Sequence, residues 1–257
     1  MQALTFKPAF LSAALLASLI GGATGVAQAH GTGHRHGGIA TEGKKAVKAP
    51  FDVVHTRIST DGTTAVFHMA VSGKAGATRP TKSGKLAGSS VFSYVWPTSL
   101  DPAEVGFEPK AGILAFAVTA HPDFDDTPLF DENGDGHLKN DGGVWHSHWV
   151  VLQPDEACGP GALKVVDIPE GAKPRLPKTW PGLPLLIDSP GWSPAFTRDS
   201  VNVRVPFDNV SALRALKFDG VTAALRVNAS VHAPLLCVAQ VFKVASGDLS
   251  LPGQVDR

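Results

Sequence analysis

From Pro50 onward, apolar and polar residues fall into short runs of two-residue period broken by turn residues, a pattern that predicts strands. Residues 52–59 and 63–72 carry β-branched and aromatic side chains and are separated by the turn pair Asp61-Gly62. Val66, His68 and Ala70 alternate with Phe67, Met69 and Val71, as a strand with two unlike faces requires. Residues 91–96, 113–120, 144–152, 201–206 and 221–244 read as further strands. Between them lie a Gly/Lys/Thr/Ser loop (73–89), an Asp-rich polar loop (124–143) and a Pro/Gly-rich packed loop (170–193) around Trp180 and Trp192. Residues 211–217 alone resemble a helix, with Asn209 or Ser211 as its cap. The expected fold is all-β: a single antiparallel β-sandwich with long loops over residues 50–257, without an internal repeat or interdomain linker.

Upstream the pattern changes twice. Residues 30–49 are mostly Gly, His, Lys and Thr, too polar to offset their ordering entropy, so a flexible His-rich tail is expected. Residues 1–29 have the parts of a cleavable signal peptide: Lys7, an apolar run over 10–20, and the small-x-small site Ala27-Gln28-Ala29. That run of about 11 residues falls short of the roughly 20 that span a bilayer. An uncleaved anchor is the competing reading. The protein is therefore expected to be exported to the periplasm, the cell surface or the medium. Its mature form is expected to have no transmembrane segment, and outer-surface association stays open.

Lysine plus arginine number 23, against 23 for aspartate plus glutamate. With no basic excess, nucleic acid and anionic membranes are poor partners. Metal ions are better ones. Cys158 and Cys237 stand far apart, and in an oxidising compartment such a pair is expected to form a disulfide worth roughly 4 kcal/mol. Two soft metal ligands are the alternative.

Asp131-Glu-Asn133-Gly-Asp135-Gly136-His137 opens like a calcium loop, with oxygens at positions one, three and five, a turn glycine at six and the His137 carbonyl at seven. Position twelve is Gly142 rather than glutamate. Asp141, or Asp123, Asp125 and Asp126 upstream, would have to close the shell; otherwise the segment is a polar turn without an ion. In residues 144–151, His146 and His148 share one strand face while Trp145, Ser147 and Trp149 take the other. Imidazoles spaced about 6–7 Å at Cα can reach one metal, though packed histidines explain such a pair equally well. His232 is the expected third ligand, since a Cys158–Cys237 bridge would draw its segment toward the pair; His68 and His121 are further candidates. Three imidazoles suit zinc, copper, iron or nickel, and neighbouring tryptophans tilt the reading toward copper. His30, His34 and His36 form a second, tail-borne set, in which cleavage after Ala29 would add the amine of His30; a solvated tail with weak metal affinity is the alternative.

Residues 93–98, 120–127, 131–136, 144–152 and 180–188 together resemble the secreted copper-binding surface proteins of methane-oxidising bacteria (the MopE/CorA type). The resemblance implies a β-rich exported protein that holds copper through two histidines and an oxidised tryptophan, kynurenine, with calcium nearby. His148 and His232 match the two imidazoles. His146 stands near where the modified tryptophan would be, so a third imidazole replaces it. The expected function is copper capture or buffering, with a structural calcium. The alternatives are a zinc or copper enzyme using the three histidines, and a calcium-stabilised adhesion or carbohydrate-binding domain with Trp180 and Trp192 as platforms.

Overall fold

The computed structural model describes residues 33–35, 37–229 and 235–256. The signal segment 1–29, His30, His36 and His232 lie outside the described residues. In chain order the elements are β1 (Gly33–Arg35), β2 (Gly38–Ala40), β3 (Val53–Asp61), β4 (Thr64–Val71), β5 (Ser90–Pro97), β6 (Ile113–Ala120), β7 (His146–Pro154) and β8 (Leu163–Val165). There follow β9 (Ile187–Asp188), β10 (Ala195–Phe196), β11 (Ser200–Pro206), α1 (Val210–Ala215), β12 (Lys217–Phe218), β13 (Val221–Val227), β14 (Leu236–Val244) and β15 (Gly253–Gln254). As expected, Asn209 caps α1, its Oδ1 accepting from the Ala212 N–H at 3.1 Å. Gly62, at φ 62°, makes the tight β3–β4 turn.

The strands are antiparallel, as expected, but they do not form a plain sandwich. One sheet runs β1-β2-β3-β4-β11-β10. A second runs β6-β5-β13-β14-β8-β7-β9, and an additional β6–β7 pairing closes six of its strands into a barrel; β12 and β15 form a third, two-stranded sheet. The seam is narrow: β8 joins β14 through the single pair Lys164–Cys237 and joins β7 through three pairs. Beside that seam, Cys158 and Cys237 form the expected disulfide, with Cα atoms 5.4 Å apart.

The two-residue period explains why both faces of the barrel wall are buried. On β6, Leu114, Phe116 and Val118 face the open sheet, while Ala115 and Ala117 face the barrel interior. On β4, Ala65, Phe67, Met69 and Val71 are the buried set. Phe67 packs edge-on against Trp96 and Trp149 and lies 4.6 Å from Phe116, which locks sheet to barrel. A buried ion pair adds a polar clamp: Lys243 Nζ of β14 donates to Asp52 Oδ1 at 2.6 Å, both side chains almost fully covered.

The segment expected as a flexible tail is ordered in part. β2 pairs with β3, and Ile39 is fully buried, so one apolar side chain is enough to draw residues 38–40 into the sheet. His34 lies on β1 opposite Ile39. No helix among the described residues is long and apolar enough to cross a membrane.

Candidate metal centre

β7 carries His146 and His148 on its barrel-facing side, as the period requires, with Ser147 and Trp149 on the other. Across the pairing, Thr119 stands opposite His146 and Ala117 opposite His148. The small Ala117 leaves the His148 ring room to lie over the barrel end. Immediately after β6 comes His121, and the loop that follows brings Asp126 back beneath the three rings. His121, Asp126, His146 and His148 are all at most 4% exposed. They can each offer one ligand atom within 4.8 Å of the others, the arrangement of a metal site.

The distances are short. Asp126 Oδ1 lies 3.2 Å from His121 Nε2, 3.0 Å from His146 Nε2 and 3.4 Å from His148 Nε2. The Nε2 atoms of His121 and His146 are 2.9 Å apart. Four donors at about 2.05 Å around a tetrahedral ion would be separated by about 3.3 Å, so these pairs already have the spacing of a ligand shell.

The outer ring nitrogens decide what the inner ones can do. His121 Nδ1 meets the Phe124 carbonyl at 3.1 Å, and His146 Nδ1 meets the Val144 carbonyl at 2.7 Å. A carbonyl only accepts, so both Nδ1 atoms carry the proton. Ser189 Oγ donates to the Asp126 carbonyl at 2.6 Å and thus accepts from His148 Nδ1 at 3.1 Å. All three neutral imidazoles therefore point an Nε2 lone pair at one another and at a carboxylate. A proton or a cation must sit among them for this to be favourable. His148 Nε2 and Asp126 Oδ1 are accordingly buried without a hydrogen-bond partner. Burial alone would push the Asp126 carboxyl up; the rings of His121, His148 and His146 closed around it outweigh burial and hold it well below the usual aspartate range, as a positive charge shared among them would.

The surroundings fix this geometry. Phe124 stacks on the His121 ring with centroids 4.0 Å apart, and Thr119 Oγ1 lies 3.2 Å from His146 Nε2. Asp188, beyond His148, is buried and its carboxyl is pushed up by desolvation.

The structure brings the expected pair His146 and His148 together. The third imidazole is His121, a subsidiary candidate in the sequence, and the expected third ligand, His232, lies outside the described residues. His68 stands apart, its Nδ1 2.8 Å from Asn202 Oδ1. Asp126 is a correction: its place is among the histidines, not in a calcium shell. The other upstream aspartates are engaged as well. Asp123 accepts from Ser83 and Gly84 N–H groups, and Asp125 from those of Thr127 and Asp141.

Within the calcium-like loop, Asp131 accepts from the N–H groups of Gly134, Asp135 and Gly136, Asn133 from Asp135, and Asp135 from His137. Gly134 and Gly136 adopt positive φ, the sharp turn the sequence called for. Asp141 is fully buried; its carboxylate accepts from the N–H groups of Glu132 and Asn133 while its own N–H donates to Asp125, which ties the loop base to the segment before it. Trp180 and Trp192 are half-buried; Trp180 Nε1 donates to the Leu185 carbonyl at 3.2 Å and Trp192 packs on the core.

The chain matches no protein-family model, no curated protein and no solved structure.

Proposed function

We propose that this chain is an exported copper-binding protein that captures or buffers copper at His121, Asp126, His146 and His148. The observation that carries the reading is the buried convergence of three Nε2 lone pairs and one carboxylate, each ring held by its own acceptor at Nδ1. An imidazole-rich set suits zinc, copper, iron and nickel, and among divalent ions copper binds such donors most tightly. The disulfide accords with an oxidising, extracytoplasmic compartment, and the resemblance to exported copper proteins points the same way. Four protein donors fill a tetrahedral shell, which favours storage over catalysis. The proposal includes a structural calcium at Asp131, Asn133, Asp135, the His137 carbonyl and Asp141, resting on the sequence pattern.

The test is elemental analysis of protein purified from its native compartment, with a His148→Ala variant alongside. One copper per chain, lost in the variant, is the expected result. Zinc in its place would transfer weight to a metal-dependent enzyme, and calcium alone would overturn the copper site.

A further inference from the structure

The barrel is not filled. Behind the metal centre its interior holds a cavity of about 220 Å³, walled by inward-facing residues of all six barrel strands. Small side chains on that face, Ser93, Ala117 and Ala223 among them, leave the space open. Its inner end is formed by His121, His148 and Asp126. Its outer end is apolar and open to solvent: Ile113, Val241 and Leu249 line it although they are 39%, 48% and 39% exposed. Ile113 and Thr119 both line the cavity at opposite ends of β6, which puts the mouth about 20 Å from the metal centre.

Two further observations single out this cavity. Leu249 and Leu251, both at the lining, hold φ of 59° and 53°, a left-handed conformation that branched side chains rarely adopt. Such strain persists only where the surrounding structure imposes it, and it concentrates at ligand sites. The second is that the unpartnered Asp126 Oδ1 and His148 Nε2 belong to the residues at the cavity's inner end.

The geometry points to a ligand with two chemically distinct ends: a small carboxylate whose apolar body fills the barrel and whose head group reaches the metal. This rests on the metal reading above. An apolar cavity of about 150 Å³ accepts benzene, so this one admits a body of roughly seven to nine carbons. The head group follows from charge. A divalent ion held by one aspartate and three neutral imidazoles keeps one net positive charge in a low-dielectric pocket, where an anion is strongly favoured. Among the described residues, Asp126 is the only acidic one at the lining, and no lysine or arginine lies there, so the metal is the cation the carboxylate would meet. The head group would add to the four protein donors as a fifth, on the cavity side, expanding the tetrahedral shell.

The experiment is calorimetric titration of octanoate, and of 1-octanol as its uncharged counterpart, into apo and copper-loaded protein. Octanoate should bind the copper form at least tenfold tighter than the apo form, and tighter than 1-octanol binds either. Ala223→Phe and Val238→Phe, which fill the cavity away from the metal ligands, should abolish octanoate binding while keeping one copper per chain. Octanoate binding neither form of a protein that holds copper would overturn this inference and leave the metal site standing. Equal binding to apo and copper forms would overturn the head-group assignment, and 1-octanol binding as tightly as octanoate would do the same. A protein that takes up no copper would overturn the metal reading, and the head-group assignment with it.

Discussion

Gly142 should be the most sensitive position outside the metal ligands. It sits in the short turn Asp141–Gly143, and its carbonyl accepts the His121 N–H at 2.6 Å. A Cβ at this position would run into the Phe124 carbonyl oxygen and come within 2.6 Å of the His121 carbonyl oxygen. The Phe124 oxygen is the same one that receives the His121 Nδ1 proton. Gly142→Ala must therefore displace the acceptor that orients a metal ligand. Overpacking of this kind costs about 1–3 kcal/mol, which for a domain of this size lowers Tm by about 2–12 °C. Loss of the partner behind a ligating histidine reduces metal affinity by about 10- to 100-fold. Gly143→Ala is the internal control, because its Cβ would meet Pro122 at 3.8 Å, an ordinary contact. Competition against a chromophoric chelator, with thermal unfolding of the apo proteins, reads both effects. Wild-type affinity in Gly142→Ala, or an equal loss in Gly143→Ala, would refute the reasoning.

Lys243→Met should cost about 3–5 kcal/mol because it strands the buried Asp52 carboxylate, and Asp52→Leu in the same chain should recover much of that, as chemical denaturation would show. Burial pushes the Asp52 carboxyl up, but Lys243 and neighbouring hydrogen bonds outweigh it and leave it below its ordinary 3.8. Its contribution is therefore complete above that value and disappears as pH falls through the lower folded-state value; stability measured from pH 6 downward should decline in wild type and less steeply in the double variant. Cys158→Ser/Cys237→Ser should lower stability by about 2–5 kcal/mol and loosen the β8–β14 seam, seen as faster amide exchange there; unchanged exchange would argue against a role in closure. Sequencing of the mature N-terminus should begin at His30, and another start would remove the amine from the proposed tail chelate.

How much of this was legible in the sequence depends on which side chains a regular period controls. The split of β7 into a histidine face and a tryptophan face follows from a two-residue repeat, and so does the burial of Phe67 and Met69 on β4. His121 was within reach because it ends an apolar strand just before Pro122. Asp126 was not: it lies in a loop, where no period fixes the direction of a side chain, and the Asp-rich run around it resembles a calcium shell. Barrel closure was hidden for a similar reason. It depends on β8, a strand of three residues with one pair to β14, whose apolar content is too brief to stand out between turns. Ile39 shows the opposite limit, a lone apolar residue in a polar stretch whose burial depends on a partner strand elsewhere in the chain.

The central claim is that one copper ion sits among these four side chains, and anomalous diffraction at the copper edge from crystals of the copper-loaded protein tests it most directly. The account predicts one strong peak about 2 Å from Nε2 of His121, His146 and His148 and from Oδ1 of Asp126, absent from His148→Ala crystals. A copper peak elsewhere, with these four side chains keeping their present spacing around no ion, would contradict it.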